Sequence, residues 1–140
     1  MLQQLLSTQD RLHRLGSTPS SLCKLCKQET GSLKHELLEC SHNNQVGELL
    51  LSCLQLYMPE LSASSLLRLE FSNLESEMEL PATLITAITL GYIWKERMTS
   101  SRIRTYQVRS EIEQSINLLR TTRFAKASSC LETLASQMFQ

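Results

Sequence analysis

The stretch Cys23-Lys24-Leu25-Cys26-Lys27-Gln28-Glu29-Thr30-Gly31-Ser32-Leu33-Lys34-His35-Glu36-Leu37-Leu38-Glu39-Cys40 decides how this chain is read. Three thiols and one imidazole follow one another as Cys-x2-Cys-x8-His-x4-Cys. That is a complete tetrahedral ligand set for zinc, and four protein ligands leave no open coordination position. The spacing therefore predicts one structural Zn²⁺ held by Cys23, Cys26, His35 and Cys40. Cys-x2-Cys puts two sulfurs on one tight turn, where backbone N–H groups can stabilise thiolates. The returning His-x4-Cys pair closes the tetrahedron from the opposite side. Three thiolates, a neutral imidazole and Zn²⁺ sum to one negative charge, and Lys24, Lys27 and Lys34 lie close by to offset it.

Three other readings compete with this one. His42 rivals Cys40 as the fourth ligand, although thiolate is the softer choice and completes the better-spaced set. Cys23 and Cys26 could instead form a disulfide, which requires an oxidising compartment. The third is that reduced cysteines lie close in sequence by chance.

Outward from the cluster, the composition favours helices. Only four Gly and three Pro occur in 140 residues, and the apolar residues are mostly Leu and Ile. The expected fold is all-α, with an N-terminal CCHC zinc knuckle packed on a small helical bundle. Residues 1–42 would form the lead-in helix and knuckle, and residues 43–140 the bundle. Leu2, Leu5, Leu6, Leu12 and Leu15 predict a first helix ending at Gly16. A short helix should start near Gly31-Ser32 and carry His35. His35 and Cys40 lie about 140° apart on a regular helix, so Cys40 should fall where that helix ends.

Asn43 and Asn44 are candidate caps for a helix bearing Val46, Leu49, Leu50, Cys53, Leu54 and Tyr57 on one face, ended by Pro59. Ser62 should cap a short helix with Leu66 and Leu67, and Ser72 to Glu79 reads as an acidic surface loop. Pro81 suits the first position of a helix that is apolar or Thr-bearing on all sides to Trp94, as in a bundle centre. A further helix is expected from Ile103 to Arg120, with Tyr106, Ile112, Ile116 and Leu119 facing inward. Cys130, Leu131, Leu134 and Met138 extend it or form another. Cys53 and Cys130 read as buried small hydrophobes, His13 as a surface residue and Trp94 as a core anchor.

Formal charge is zero but unevenly spread. Residues 1–34 hold five basic and two acidic side chains, residues 35–94 hold Arg68 against eight Glu, and residues 95–126 hold eight basic residues and three Glu. This suits internal pairing, a solvated mixed-charge surface or a basic face for nucleic acid. Lys24, Lys27 and Lys34 beside the metal, joined by Arg11 and Arg14, are the candidate nucleic-acid contacts. The basic residues from Arg97 to Arg109 read equally as a solvated helix face.

Several function classes are excluded. Asp10 is the only aspartate, whereas two-metal polymerases and nucleases need several carboxylates brought together. No Gly-rich phosphate loop, Gly-x-Ser-x-Gly elbow or His-Glu-x-x-His motif occurs. No catalytic residue is assigned, and no enzyme or small-molecule substrate is expected. Met1-Leu2-Gln3-Gln4-Leu5-Leu6 turns polar too soon for a secretion signal, and the longest uncharged run, Leu80 to Trp94, is too short for a membrane span. The expected location is therefore intracellular, in a reducing cytoplasm or nucleus, where closely spaced Cys and His read as metal ligands.

Arg11-Leu12-His13-Arg14-Leu15-Gly16, Cys23-x2-Cys26 and the segment Gly31 to Cys40 together resemble the reverse transcriptase zinc-binding domain. That domain occurs near the C-terminus of non-LTR retrotransposon polyproteins. Clear resemblance covers about residues 11–42. Ile93-Trp94-Lys95-Glu96-Arg97 is also similar to the helical tail after the knuckle in many members. Lys27 departs from the pattern, standing where members often have Gly. The resemblance implies zinc on Cys23, Cys26, His35 and Cys40, and a nucleic-acid role as an accessory to reverse transcription. The expected function is thus a non-catalytic zinc-binding module contacting RNA or DNA. The rival is a zinc-stabilised protein-interaction or structural scaffold.

Overall fold

Leucine and isoleucine at helical spacing recur along the chain, and in the computed structural model they assemble an all-helical protein. The structure describes residues 6–71, 74–99 and 104–140. In chain order the elements are α1 (Gln9–Arg14), a π turn (His35–Glu39), α2 (Asn44–Gln55), α3 (Ala63–Leu67), α4 (Ser76–Met98), α5 (Thr105–Arg120) and α6 (Ala125–Met138). Among the described residues the only β pairing is an isolated bridge between Leu22 and Thr30.

Local signals account for most boundaries. Thr8 caps α1 by accepting the Arg11 amide, and the helix stops in a Schellman turn. There Gly16 N–H bonds the His13 carbonyl and Ser17 N–H bonds the Leu12 carbonyl, with Gly16 at φ 77°. Helix α1 buries none of its residues; Leu6 precedes its cap, and Leu2 and Leu5 lie outside the described residues. Ser62 caps α3 through the Ser65 amide, as its position in sequence implied.

Helix α4 starts five residues before Pro81, at Ser76, so the second half of the expected acidic loop is helical; Ser72 and Asn73 lie outside the described residues. Glu77 and Glu79 favour this start because carboxylates are stabilised near a helix N-terminus. Pro81 then forfeits a single backbone hydrogen bond.

The bundle is organised around α4. It packs on α5 and α6, while α6 also packs on α2, and the π turn lies against α2 and α4. Ile85 and Ile93 of α4 are fully buried, with Leu50 of α2, Val108 and Ile112 of α5, and Leu131 and Leu134 of α6. Leu33, Leu37 and Leu38, from the segment around the π turn, join the same hydrophobic cluster. A strip through Ala87, Gly91 and Lys95 leaves α4 exposed on one side, so its burial is not all round.

On α5 the inward face is Val108, Ile112 and Ile116, with Leu119 half-buried. Tyr106, expected inward, is 62% exposed. It lies two residues from Val108, about 200° around the helix, and so points away from the bundle. Ile103 lies outside the described residues. Helix α6 is separate from α5, with a turn at 121–124. Trp94 is half-buried against the core, His13 is exposed, Cys53 is buried and Cys130 is half-buried.

Candidate metal centre

The first two sulfurs are set by a small hairpin. Cys23 N–H bonds the Glu29 carbonyl at 2.7 Å and Gly31 N–H bonds the Ser21 carbonyl at 2.8 Å. At its tip Lys27 N–H returns to the Cys23 carbonyl at 2.9 Å, so Cys23 and Cys26 share one turn. Lys27 sits at φ 57°, the left-handed conformation that glycine adopts at least cost.

Gly31 closes the hairpin where three elements meet. A Cβ there would lie 2.6 Å from Gln9 Cβ and 2.7 Å from Glu36 Oε1. Only a residue without a side chain lets α1 and the Glu36 carboxylate approach this closely.

The other two ligands come from the π turn. Cys40 N–H bonds the His35 carbonyl at 2.7 Å, spanning five residues instead of the four of an α-helix. This wider loop carries His35 and Cys40 closer to one side than the regular helix expected from sequence. The backbone leaves helical geometry at Cys40 (φ −60°, ψ 133°), which is where the helix was expected to end.

The four ligand atoms of Cys23, Cys26, His35 and Cys40 all lie within 4.8 Å of one another. Cys23 Sγ and Cys40 Sγ are 3.8 Å apart. A tetrahedron with Zn–S bonds of about 2.3 Å has an S···S edge of about 3.8 Å. Cys26 Sγ and His35 Nε2 are 3.2 Å apart, somewhat inside the S···N edge of about 3.6 Å expected from the same bond lengths. His35 Nδ1 is buried without a hydrogen-bond partner, 3.4 Å from the exposed Glu29 carboxylate but not aligned with it. That leaves Nε2 as the metal-facing nitrogen, with Glu29 behind the ring as carboxylates stand behind zinc-binding imidazoles. His42 is exposed, its Nδ1 3.8 Å from Cys40 Sγ, and does not belong to the mutually close set.

Electrostatics at Cys23 fit a cation. Burial pushes the Cys23 thiol up, yet the Cys26 amide, the Arg97 guanidinium, the Leu25 amide and His35 outweigh it, leaving Cys23 at about 6. Burial raises Cys40, against the opposing pull of the His42 amide and Arg97. A soft thiolate-rich set with one imidazole, amide hydrogens on its sulfurs and a tetrahedral edge length suits zinc.

The sequence reading missed Arg97. It lies among charged neighbours at the end of α4 and reads there as surface, yet its side chain is only 4% exposed. Nη2 donates to Cys23 Sγ at 3.1 Å, and Nη1 donates to Asn43 Oδ1 at 2.9 Å. Asn43 stands at the N-cap position of α2 but makes no capping bond; its amide donates to the Leu37 carbonyl at 2.9 Å instead. Glu36, also buried, is 4.0 Å from Arg97 and accepts the Gln9 amide at 3.1 Å; burial raises its pKa. The available signal was position, because Arg97 falls one turn beyond buried Ile93.

The candidate nucleic-acid contacts lie outside this cluster. Lys24 and Lys27 are exposed. Lys34 pairs with Glu39 at 3.1 Å and Arg14 with Asp10 at 3.6 Å. Arg11 is half-buried and donates to the Leu6 carbonyl at 3.4 Å. Arg14 and Lys34 line a cleft of mixed charge, about 680 Å³, together with Asp10, Arg68 and Glu70, and Arg68 pairs with Glu70 at 3.0 Å. Sequence alone left Arg68 isolated in the acidic middle of the chain.

Fold and site together define a helical protein with a Cys3His cluster near its N-terminus that could hold a metal ion. Residues 1–46 match the family described as zinc-binding in reverse transcriptase. No curated protein and no solved structure matches the chain significantly. Among the described residues, no helix is long and apolar enough to cross a membrane.

Proposed function

We propose that this chain is a non-catalytic zinc-binding module derived from a retrotransposon reverse transcriptase polyprotein. In this reading it contacts RNA or DNA as an accessory to reverse transcription. The observation that carries it is the convergence of Cys23, Cys26, His35 and Cys40 within the segment that matches the zinc-binding family. One zinc ion on these four groups would cross-link the hairpin to the π turn, with no coordination position left for a substrate. The nucleic-acid part is supported by exposed Lys24 and Lys27, neither of which is ion-paired among the described residues. The reading includes a reducing intracellular location, supported by the thiolate chemistry of the ligands.

The test is a titration of the zinc-loaded chain with structured RNA and with single- and double-stranded DNA across salt concentrations. Replacing Lys24, Lys27 and Lys34 by Ala should weaken binding. It should also flatten the dependence of log K on log salt by about 0.7–0.9 for each phosphate that these lysines neutralise. A second reading, a zinc-stabilised structural or protein-interaction scaffold, is favoured by the pairing of Arg14 with Asp10 and of Lys34 with Glu39. Absence of saturable binding, or binding indifferent to the three lysines, selects the scaffold.

A further inference from the structure

A zinc ion with three thiolates and one neutral imidazole carries one surplus negative charge. The lysines nearest in sequence, Lys24, Lys27 and Lys34, are all exposed. The cation that meets the sulfurs comes from 74 residues away, on α4. The Arg97 guanidinium touches Cys23 Sγ directly, lies against Cys40, and is held in place by Asn43 from the start of α2. Arginine suits this place because its planar fork serves two acceptors at once and its charge persists when buried.

We propose that Arg97 is a positioning residue of the metal centre, neutralising its thiolates from the helical bundle and so setting how tightly the metal is retained. The inference rests on the zinc reading above. On this account the hairpin and π turn supply the ligands, but the bundle supplies the counter-charge. Metal retention and docking of the knuckle on α4 are then coupled. A hydrogen bond from N–H to a bound thiolate withdraws electron density from sulfur, so it should also be visible in the metal's spectrum.

The test uses the full chain loaded with zinc, and separately with cobalt(II). Outer partners of metal ligands typically change metal affinity 10–100-fold. Arg97→Met should therefore release zinc to a chromophoric chelator about 10–100 times faster than wild type. Arg97→Lys, which keeps the charge but loses the fork, should fall between them. The sulfur-to-cobalt charge-transfer band should move to longer wavelength in Arg97→Met, a change that a purely structural role would not produce.

Removing Arg97 also leaves Glu36 buried beside the site, so Arg97→Met is repeated with Glu36→Gln. This second background keeps the comparison interpretable if the single variant folds poorly. Release at the wild-type rate with an unmoved band in the folded double variant overturns the role of Arg97. Failure of the wild-type chain to bind zinc or cobalt overturns the zinc reading itself, so the two failures are distinguishable.

Discussion

Removing the metal with a chelator should unfold the hairpin and π turn while leaving the bundle folded. The stretch from residue 21 to 40 contributes Leu33, Leu37 and Leu38 to the common core. At about 1.5–3 kcal/mol for each fully buried side chain, these leucines supply about 5–9 kcal/mol. A structural zinc in a small motif contributes about 10–16 kcal/mol at neutral pH, the larger of the two terms. Its loss is comparable to the whole stability of a typical domain, about 5–15 kcal/mol. Without metal, the segment should not stay ordered on its leucines alone.

Hydrogen exchange with and without chelator reads this directly. The amides of Cys23, Lys27 and Cys40, each bonded to a backbone carbonyl in the knuckle, should lose nearly all their protection. Core amides of α4, α5 and α6 should retain most of theirs. Far-UV circular dichroism should change little, because α1 and the π turn contain only 6 and 5 residues. Unchanged protection of Cys23 and Cys40 after complete metal removal would refute the reasoning. So would equal loss of protection across knuckle and bundle, which would mean that the two do not unfold separately.

Two further outcomes follow from the bundle. Thr86 and Thr89 are fully buried and their hydroxyls have no hydrogen-bond partner. Thr86→Val or Thr89→Val should each raise stability by about 1 kcal/mol in urea denaturation, because a methyl replaces an unpaired hydroxyl of similar size; destabilisation by either would show that the hydroxyl is satisfied. Burial pushes the Cys53 thiol from 9.0 up to about 11. The folded state thus holds its proton more tightly than the unfolded chain, and this contribution to stability is intact below pH 9.0 and lost as pH rises towards 11. Iodoacetamide at pH 8 should accordingly leave Cys53 unmodified in the native protein while half-buried Cys130 reacts, and mass spectrometry of the peptides checks it.

Much of the architecture was legible because its causes are local. The Gly16 stop, the Ser62 cap and the apolar face of α2 each depend on residues within a turn or two. The start of α4 lies earlier than expected because Leu74 and Met78, ahead of Pro81, pack against the common core, a contact in space that the proline signal does not record. Tyr106 suits the interior by residue type, while its phase on α5 relative to Val108 and Ile112 points it to solvent. The end of the short helix at Cys40 was legible. Its π geometry was not, since a five-residue hydrogen bond leaves no mark in the pattern of apolar residues.

The sequence by itself narrowed which groups converge, because the short loops between Cys23, Cys26, His35 and Cys40 leave few ways to separate them, but it left His42 as a rival that only the structure set apart. It also determined an all-helical chain, through composition and periodicity. Only the tertiary structure decided what surrounds the thiolates. Arg97 reaches Asn43 across 54 positions and Cys23 across 74, and Arg68 joins Arg14 and Lys34 only through the packing of α3 beside the knuckle. Whether a charged side chain is buried depends on partners that meet it in space. Those partners are set by how helices pack, and adjacency in the chain carries no record of them.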